Sequence, residues 1–79
     1  MTNFEMMIEK YGMYEGTLDE IREDTNFDYV IKVYDSESKQ DCIIEGFHNN
    51  RREFEAAANT ISEINAEFEV FAWIEKVDR

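Results

Sequence analysis

The chain has 79 residues, a length that fits one domain and leaves little depth for an enclosed active site. It carries 19 Asp and Glu against 8 Lys and Arg, a formal net charge of −11, while 43% of its residues are hydrophobic and 14% are aromatic. This composition is that of a folding chain rather than a disordered acidic tail, and it argues against a basic nucleic-acid binder, a protein bound to anionic lipid and a disulfide scaffold.

The sequence also bears on the compartment. The N-terminal residues lack the basic and apolar regions of a signal peptide, and no apolar run approaches the length of a membrane-spanning helix. The single cysteine, Cys42, lies in an apolar run and has no intramolecular partner for a disulfide. We therefore expect a cytoplasmic protein.

The first predicted element is a helix over residues 2–11. Thr2 and Glu5 have the spacing of a capping box, and Gly12 supplies a stop signal. The apolar residues follow the i, i+3, i+4, i+7 spacing of one helix face: Phe4, Met7, Ile8 and Tyr11.

Residues 14–25 allow two interpretations. Thr17 lies three residues before Glu20, which repeats the capping-box spacing and favours a short helix. A helix here would carry two acids at its C-terminal end, where the helix dipole disfavours negative charge: Glu23 and Asp24. The alternative is a strand over residues 14–23, and the sequence favours the helix.

Two strands follow, separated by a polar hairpin loop. Residues 28–36 are rich in β-branched and aromatic side chains, as strands are. Strict alternation places the side chains on two faces: Tyr29, Ile31 and Val33 on one, and Val30, Lys32 and Tyr34 on the other. Residues 41–47 form the second strand. The same alternation predicts that Ile43 and Phe47 share one face, with Cys42 and Ile44 on the other.

The last two elements are a helix and a strand. Asn50 is a favourable N-cap for a helix over residues 51–65, which Asn65 would end in a left-handed conformation. The final strand is predicted over residues 68–77. One face would carry Phe68, Val70, Ala72 and Ile74, and the other Phe71, Trp73 and Val77.

These elements predict one compact α+β domain spanning residues 1–79. The order is an N-terminal helix, a short helix or strand, and then β-β-α-β, with a mostly antiparallel sheet packed on helix 51–65. We expect the other sheet face to pack on the N-terminal helix or to remain partly open.

Negative charge is concentrated in the first half of the chain. Residues 1–47 carry 12 acids and 4 bases, and residues 48–79 carry 7 acids and 4 bases. Six acids stand close together with Arg22 as the only base: Glu15, Asp19, Glu20, Glu23, Asp24 and Asp28. Within a helix some of them would form destabilising i, i+4 like-charge pairs. The cluster is either a face that attracts a basic partner or a solvated face that keeps the protein soluble.

Aromatic residues are the second candidate feature. Tyr34, Phe71 and Trp73 fall on one predicted sheet face. If that face is covered they belong to the core, and if it is open they form a contact patch of the kind found at binding hot spots.

No motif for catalysis, a metal or a cofactor stands out. The acids lack the spacing of a calcium loop, and paired carboxylates would need a dry pocket to act as acid and base. Cys42 and His48 have no evident orienting acid, and no Gly-rich phosphate loop is present. We therefore expect a protein that is not an enzyme and that binds no cofactor.

In overall character the chain resembles small phage-encoded inhibitors, which include anti-CRISPR proteins and other DNA mimics. The likeness rests on one acidic domain, the acid cluster at residues 15–28, an aromatic strand and the lack of a cofactor motif. It implies binding to a basic nucleic-acid-binding protein such as a CRISPR effector, with no direct contact to nucleic acid or membrane. It also implies that the protein works in the host cytoplasm if a phage encodes it. The alternative is a regulatory or structural adaptor that dimerises through its aromatic sheet face. The sequence leaves the choice between monomer and homodimer open.

Overall fold

The computed structural model describes residues 2–78. Within these residues it contains three helices and a three-stranded antiparallel sheet, in the α+β order that the sequence predicts. The helices are α1 (Asn3–Tyr11), α2 (Leu18–Asp24) and α3 (Arg51–Phe68), and the strands are β1 (Tyr29–Asp35), β2 (Gln40–Phe47) and β3 (Ala72–Lys76). The ambiguous segment before β1 is thus a short helix.

Each helix begins at a side-chain cap. The Thr2 hydroxyl accepts the Glu5 N–H at 3.1 Å, and the Thr17 hydroxyl accepts the Glu20 N–H at 3.2 Å. The Asn50 side-chain oxygen accepts the N–H of Glu53 at 2.9 Å. These bonds satisfy N–H groups that the first turn of a helix leaves without partners. The three helix starts predicted from the sequence are confirmed.

The strands lie in the order β2-β1-β3, so β1 is central and pairs antiparallel with both neighbours. One face of this sheet carries the main core, to which α1 and α3 both contribute. Its fully buried side chains include Met7 of α1, Ile64 of α3, and Ile31 and Val33 of β1. Two polar contacts join the helices: Lys10 Nζ to Glu67 at 2.9 Å, and the Tyr11 hydroxyl to Glu63 at 2.7 Å.

Of the two alternatives for the second sheet face, cover by the N-terminal helix is wrong, and the face remains partly open. Helix α1 lies beside α3, and the chain then passes along the outer edge of β2, where the Tyr14 N–H donates to the Ile43 carbonyl at 2.9 Å. As a result α2, rather than α1, packs on the second face of the sheet. Ile21 of α2 is fully buried there against Val30, Ile43 and Val77.

A β-bulge overturns the face assignment in β2. The register shifts between Ile31 and Lys32, so that Lys32 pairs with Ile43 while Ile31 pairs with Glu45. One extra residue in a strand reverses the side-chain alternation beyond it. Phe47 consequently shares the main core with Cys42 and Ile44, and Ile43 lies on the opposite face. The prediction that Ile43 and Phe47 share one face of the sheet is wrong for this reason.

The end of α3 also differs from the prediction. The helix continues past Asn65 to Phe68, whose buried ring packs edge-on against Tyr11 with centroids 6.3 Å apart. Glu69 then ends it in the left-handed conformation, at φ 55°. The Asn65 side chain instead accepts the N–H of Ala72 at 3.2 Å, where β3 begins. Packing of the last turn, rather than the capping tendency of Asn65, sets where α3 ends and where β3 begins.

Candidate partner-binding surface

Part of the second sheet face is left uncovered because α2 is short. Seven helical residues span about 10 Å, and α2 covers only the end of the sheet around Val30. The remaining part, which we call the open sheet surface, carries five side chains: Lys32, Tyr34, Phe71, Trp73 and Glu75. Lys32 pairs with Trp73 across β1 and β3, and the Tyr34 N–H donates to the Phe71 carbonyl at 3.0 Å.

Two of its aromatic side chains are exposed. Phe71 retains 67% of its accessible surface and Tyr34 retains 40%. The rings of Phe71 and Trp73 are in contact, with centroids 5.3 Å apart and planes inclined by 30°. The structure therefore brings together the three aromatic residues that the sequence singled out. Exposed aromatic side chains of this kind supply large contact areas at low entropic cost.

An ion pair fixes the centre of the open sheet surface. Lys32 Nζ lies 2.9 Å from Glu75 Oε2, and the Lys32 side chain is only 15% exposed. The other carboxylate oxygen of Glu75 accepts the Trp73 indole N–H at 3.4 Å. The hydrogen bond from Lys32 is the main reason why the pKa of Glu75 lies below its ordinary value. Glu75 thus orients both Lys32 and Trp73.

Helix α2 presents its acids to solvent. With Ile21 buried against the sheet, the four acidic side chains of the helix are exposed: Asp19, Glu20, Glu23 and Asp24. Asp19 pairs with Arg22 at 2.6 Å. Within residues 2–78, the side chains of Glu15, Glu20, Glu23 and Asp24 take part in no ion pair or hydrogen bond, so they are available to a partner.

Asp28 differs from the exposed acids of α2 because its side chain is engaged within the fold. Its side chain is half-buried, and one carboxylate oxygen accepts the Asn49 N–H at 2.8 Å. It precedes β1, whereas Tyr34 lies near the other end of that strand, about 20 Å away for six residues of extended chain. In this structure the Asp28 carboxylate holds the loop that leads into α3.

The neighbouring His48 is engaged in the same region. Its Nδ1 lies 3.1 Å from Glu53 and its Nε2 lies 3.1 Å from Asn26.

The Cys42 thiol is partly buried, which raises its pKa and keeps it protonated at neutral pH. In the described part of the chain, no three His, Cys, Asp or Glu side chains are grouped as metal ligands would be.

Sequence reasoning missed two candidate features, which are the ion pair between Lys32 and Glu75 and a groove beside it. Lys32 and Glu75 are 43 positions apart, and only the strand register brings them together. A groove beside them, lined by Glu15 and Asp41 among others, depends on the contact between Tyr14 and β2. A lysine within an otherwise apolar strand is the one signal in the sequence, because an ammonium that is largely buried needs a counter-charge.

Comparison of the chain with known protein families, with curated proteins and with solved structures finds no match. Among the helices that the structure describes, none combines the length and the apolar character needed to cross a bilayer.

Proposed function

We propose that the protein is a small acidic inhibitor that blocks the basic nucleic-acid-binding surface of a partner, such as a CRISPR effector, by imitating the charge of DNA. One observation carries the proposal. Helix α2 packs through Ile21 on the same sheet face that exposes Phe71 and Tyr34, so the acids and the aromatic side chains lie on one side of the molecule. This side offers both long-range attraction and short-range contact.

The mechanism follows from how such partners hold nucleic acid. A nucleic-acid-binding groove uses Lys and Arg on phosphates and gains affinity from counterion release. Carboxylates on a folded face can occupy the same bases, and complementary charge speeds the encounter. A standard interface of about 800 Å² per partner would take about a sixth of this protein's 5267 Å² surface. The role needs no cofactor and no chemical step, and it places the protein in the cytoplasm with its partner.

A competition experiment tests the proposal. A fluorescent target duplex is bound to a guide-loaded CRISPR effector, and its anisotropy is followed while the protein is added. We expect displacement at about 50 mM salt that weakens steeply by about 200 mM, because the contacts are ionic. A basic restriction endonuclease and a histone-like protein serve as further partners of the same chemistry. If the protein displaced DNA from none of these three partners, the proposal would be contradicted.

The second candidate is a non-enzymatic adaptor that forms a homodimer through the open sheet surface. The 67% exposure of Phe71 favours it, since large apolar side chains left this open are typical of contact surfaces. Light scattering distinguishes the two functions. The adaptor predicts a dimer that survives high salt and that Trp73→Glu dissociates, and a strict monomer at micromolar concentration would exclude it.

A further inference from the structure

A groove of about 400 Å³ lies where the segment before α2 meets the sheet, on the β2 side of Lys32. Its apolar lining comes from Met13, Leu18 and Ile43, and its acidic lining from Glu15 and Asp41. We call it the loop groove. It is on the same sheet face as the open sheet surface, because Lys32 pairs with Ile43 on one side and with Trp73 on the other.

The outer wall of the loop groove is fixed before anything binds. The Tyr14 N–H donates to the Ile43 carbonyl at 2.9 Å, which ties the wall to β2. Gly16 allows the tight packing there, since a Cβ at this position would lie 2.8 Å from Glu20 Oε2 and 2.9 Å from the Tyr14 ring. Gly12 begins the segment at φ 82°, a conformation that favours glycine. A preformed wall reduces the ordering cost of binding.

The charges of the loop groove are unbalanced. Glu15 and Asp41 are both exposed, and within residues 2–78 neither side chain has an ion-pair partner. The one cation beside them, Lys32, is held by Glu75 on the β3 side, away from β2. The groove therefore offers apolar walls, two unpaired carboxylates and no free cation of its own.

We propose that the loop groove binds an arginine side chain of the partner. Met13, Leu18 and Ile43 would cover the three methylene groups, and Glu15 and Asp41 would receive the guanidinium. Arginine fits better than lysine because its planar fork bonds carboxylates in pairs and is more weakly hydrated than an ammonium. This inference rests on the proposed function, since it names the residue by which a basic partner would be recognised.

The test uses the peptide acetyl-Gly-Arg-Gly-amide and the neutral citrulline analogue of the same shape. Amide chemical shifts of the labelled protein are recorded by NMR during titration with each peptide. We expect saturable shifts at residues 13–18 and 41–43 with the arginine peptide in the millimolar range, and little response to citrulline. Equal responses to the two peptides, or shifts confined to the exposed acids of α2, would overturn the proposal.

Paired variants complete the design. The double variant Glu15→Gln, Asp41→Asn removes both carboxylates from exposed positions and should weaken arginine binding about tenfold. The matched control Glu9→Gln, Glu69→Gln removes two exposed acids that lie outside both the loop groove and α2, and it should bind as the natural chain does. The peptide assay needs no partner protein. If the arginine peptide fails to bind while the protein still displaces DNA, only the proposal for the loop groove is rejected. Arginine binding without displacement from any basic partner rejects the proposed function instead.

Discussion

Lys32 and Glu75 form an ion pair of 2.9 Å across β1 and β3, and the Glu75 carboxylate also accepts the indole N–H of Trp73. The pair therefore does two things at once. It neutralises an ammonium that is only 15% exposed, and it orients Trp73 beside the ring of Phe71. The aromatic part of the open sheet surface is thus held in place by contacts within the fold.

Glu75→Gln should weaken this arrangement. The substitution leaves the largely buried ammonium of Lys32 without a counter-charge, and we expect the free energy of unfolding to fall by about 1 kcal/mol. The tryptophan emission should shift as well, because Trp73 is the only tryptophan and loses its charged acceptor. Urea denaturation followed by fluorescence measures both effects. Glu23→Gln, on the exposed side of α2, is the control, and equal behaviour of the two variants would contradict the role of Glu75.

Acid should destabilise the fold through two carboxylates. The pKa of Glu53 lies below its ordinary value of 4.5, chiefly because it accepts the His48 backbone N–H, and the pKa of Glu75 is lowered chiefly by Lys32. A lowered pKa means that the unfolded chain binds more protons, so stability is complete above pH 4.5 and is lost as pH falls through the folded values.

Urea denaturation between pH 7 and pH 3 measures this dependence. The variant Glu53→Gln, Glu75→Gln should start less stable at pH 7 and lose less stability over the acid range. The control is Glu9→Gln, Glu69→Gln, at exposed positions. A double variant whose pH dependence matches that of the natural chain would show that these two carboxylates do not carry the effect.

Gly46→Ala should be costly because of Phe27. A Cβ at position 46 would lie 2.6 Å from Cγ of the Phe27 ring, which must move to make room. Overpacking of this kind costs about 1–3 kcal/mol. Gly12→Ala is the comparison, since a Cβ there meets nothing within 4 Å and the cost comes only from its φ of 82°. If thermal unfolding shows Gly46→Ala to be neutral, the packing of Phe27 against β2 is wrong.

Phe71→Ser should separate stability from binding. The ring is 67% exposed, so we expect the free energy of unfolding to change by no more than about 0.5 kcal/mol. DNA displacement should weaken by about tenfold or more, since exposed aromatic anchors dominate binding energy. Met6→Ser removes a side chain that is 39% exposed on α1 and should leave displacement unchanged. Equal displacement by both variants would exclude Phe71 from the interface.

The sequence predicts most of the local structure. Caps at Thr2, Thr17 and Asn50 mark all three helix starts, because a side-chain acceptor and the first free N–H groups are only a few residues apart. The two faces of β1 follow from simple alternation, and the structure places Ile31 and Val33 in one core and Val30 in the other. Signals of this kind are local, so one sequence suffices to detect them.

What the sequence does not predict depends on contacts between distant residues. The bulge that moves Ile43 to the second face is a property of strand pairing, and the residues of β2 alone do not predict it. The loop groove requires the Tyr14 N–H to meet the Ile43 carbonyl, and these residues are 29 positions apart. The acid cluster is evident in the sequence, but only the fold shows that Asp28 holds a loop while the acids of α2 face solvent.

The central claim is that the position of the acids on α2, and not the net charge, produces inhibition. Four reversals on this helix test it: Asp19→Lys, Glu20→Lys, Glu23→Lys and Asp24→Lys. The control reverses four exposed acids elsewhere and carries the same net charge: Glu9→Lys, Glu45→Lys, Glu55→Lys and Glu69→Lys. A neutral version with Asn and Gln at the four α2 positions covers the case in which the reversed helix fails to fold, and circular dichroism checks all three.

The deciding measurement is displacement of the fluorescent duplex from the guide-loaded CRISPR effector by these variants at about 50 mM salt. We predict that the α2 reversal abolishes displacement, that the neutral version weakens it strongly, and that the control retains most of it. Equal loss in the α2 reversal and the control, or displacement by the α2 reversal as strong as that by the natural chain, would contradict the account.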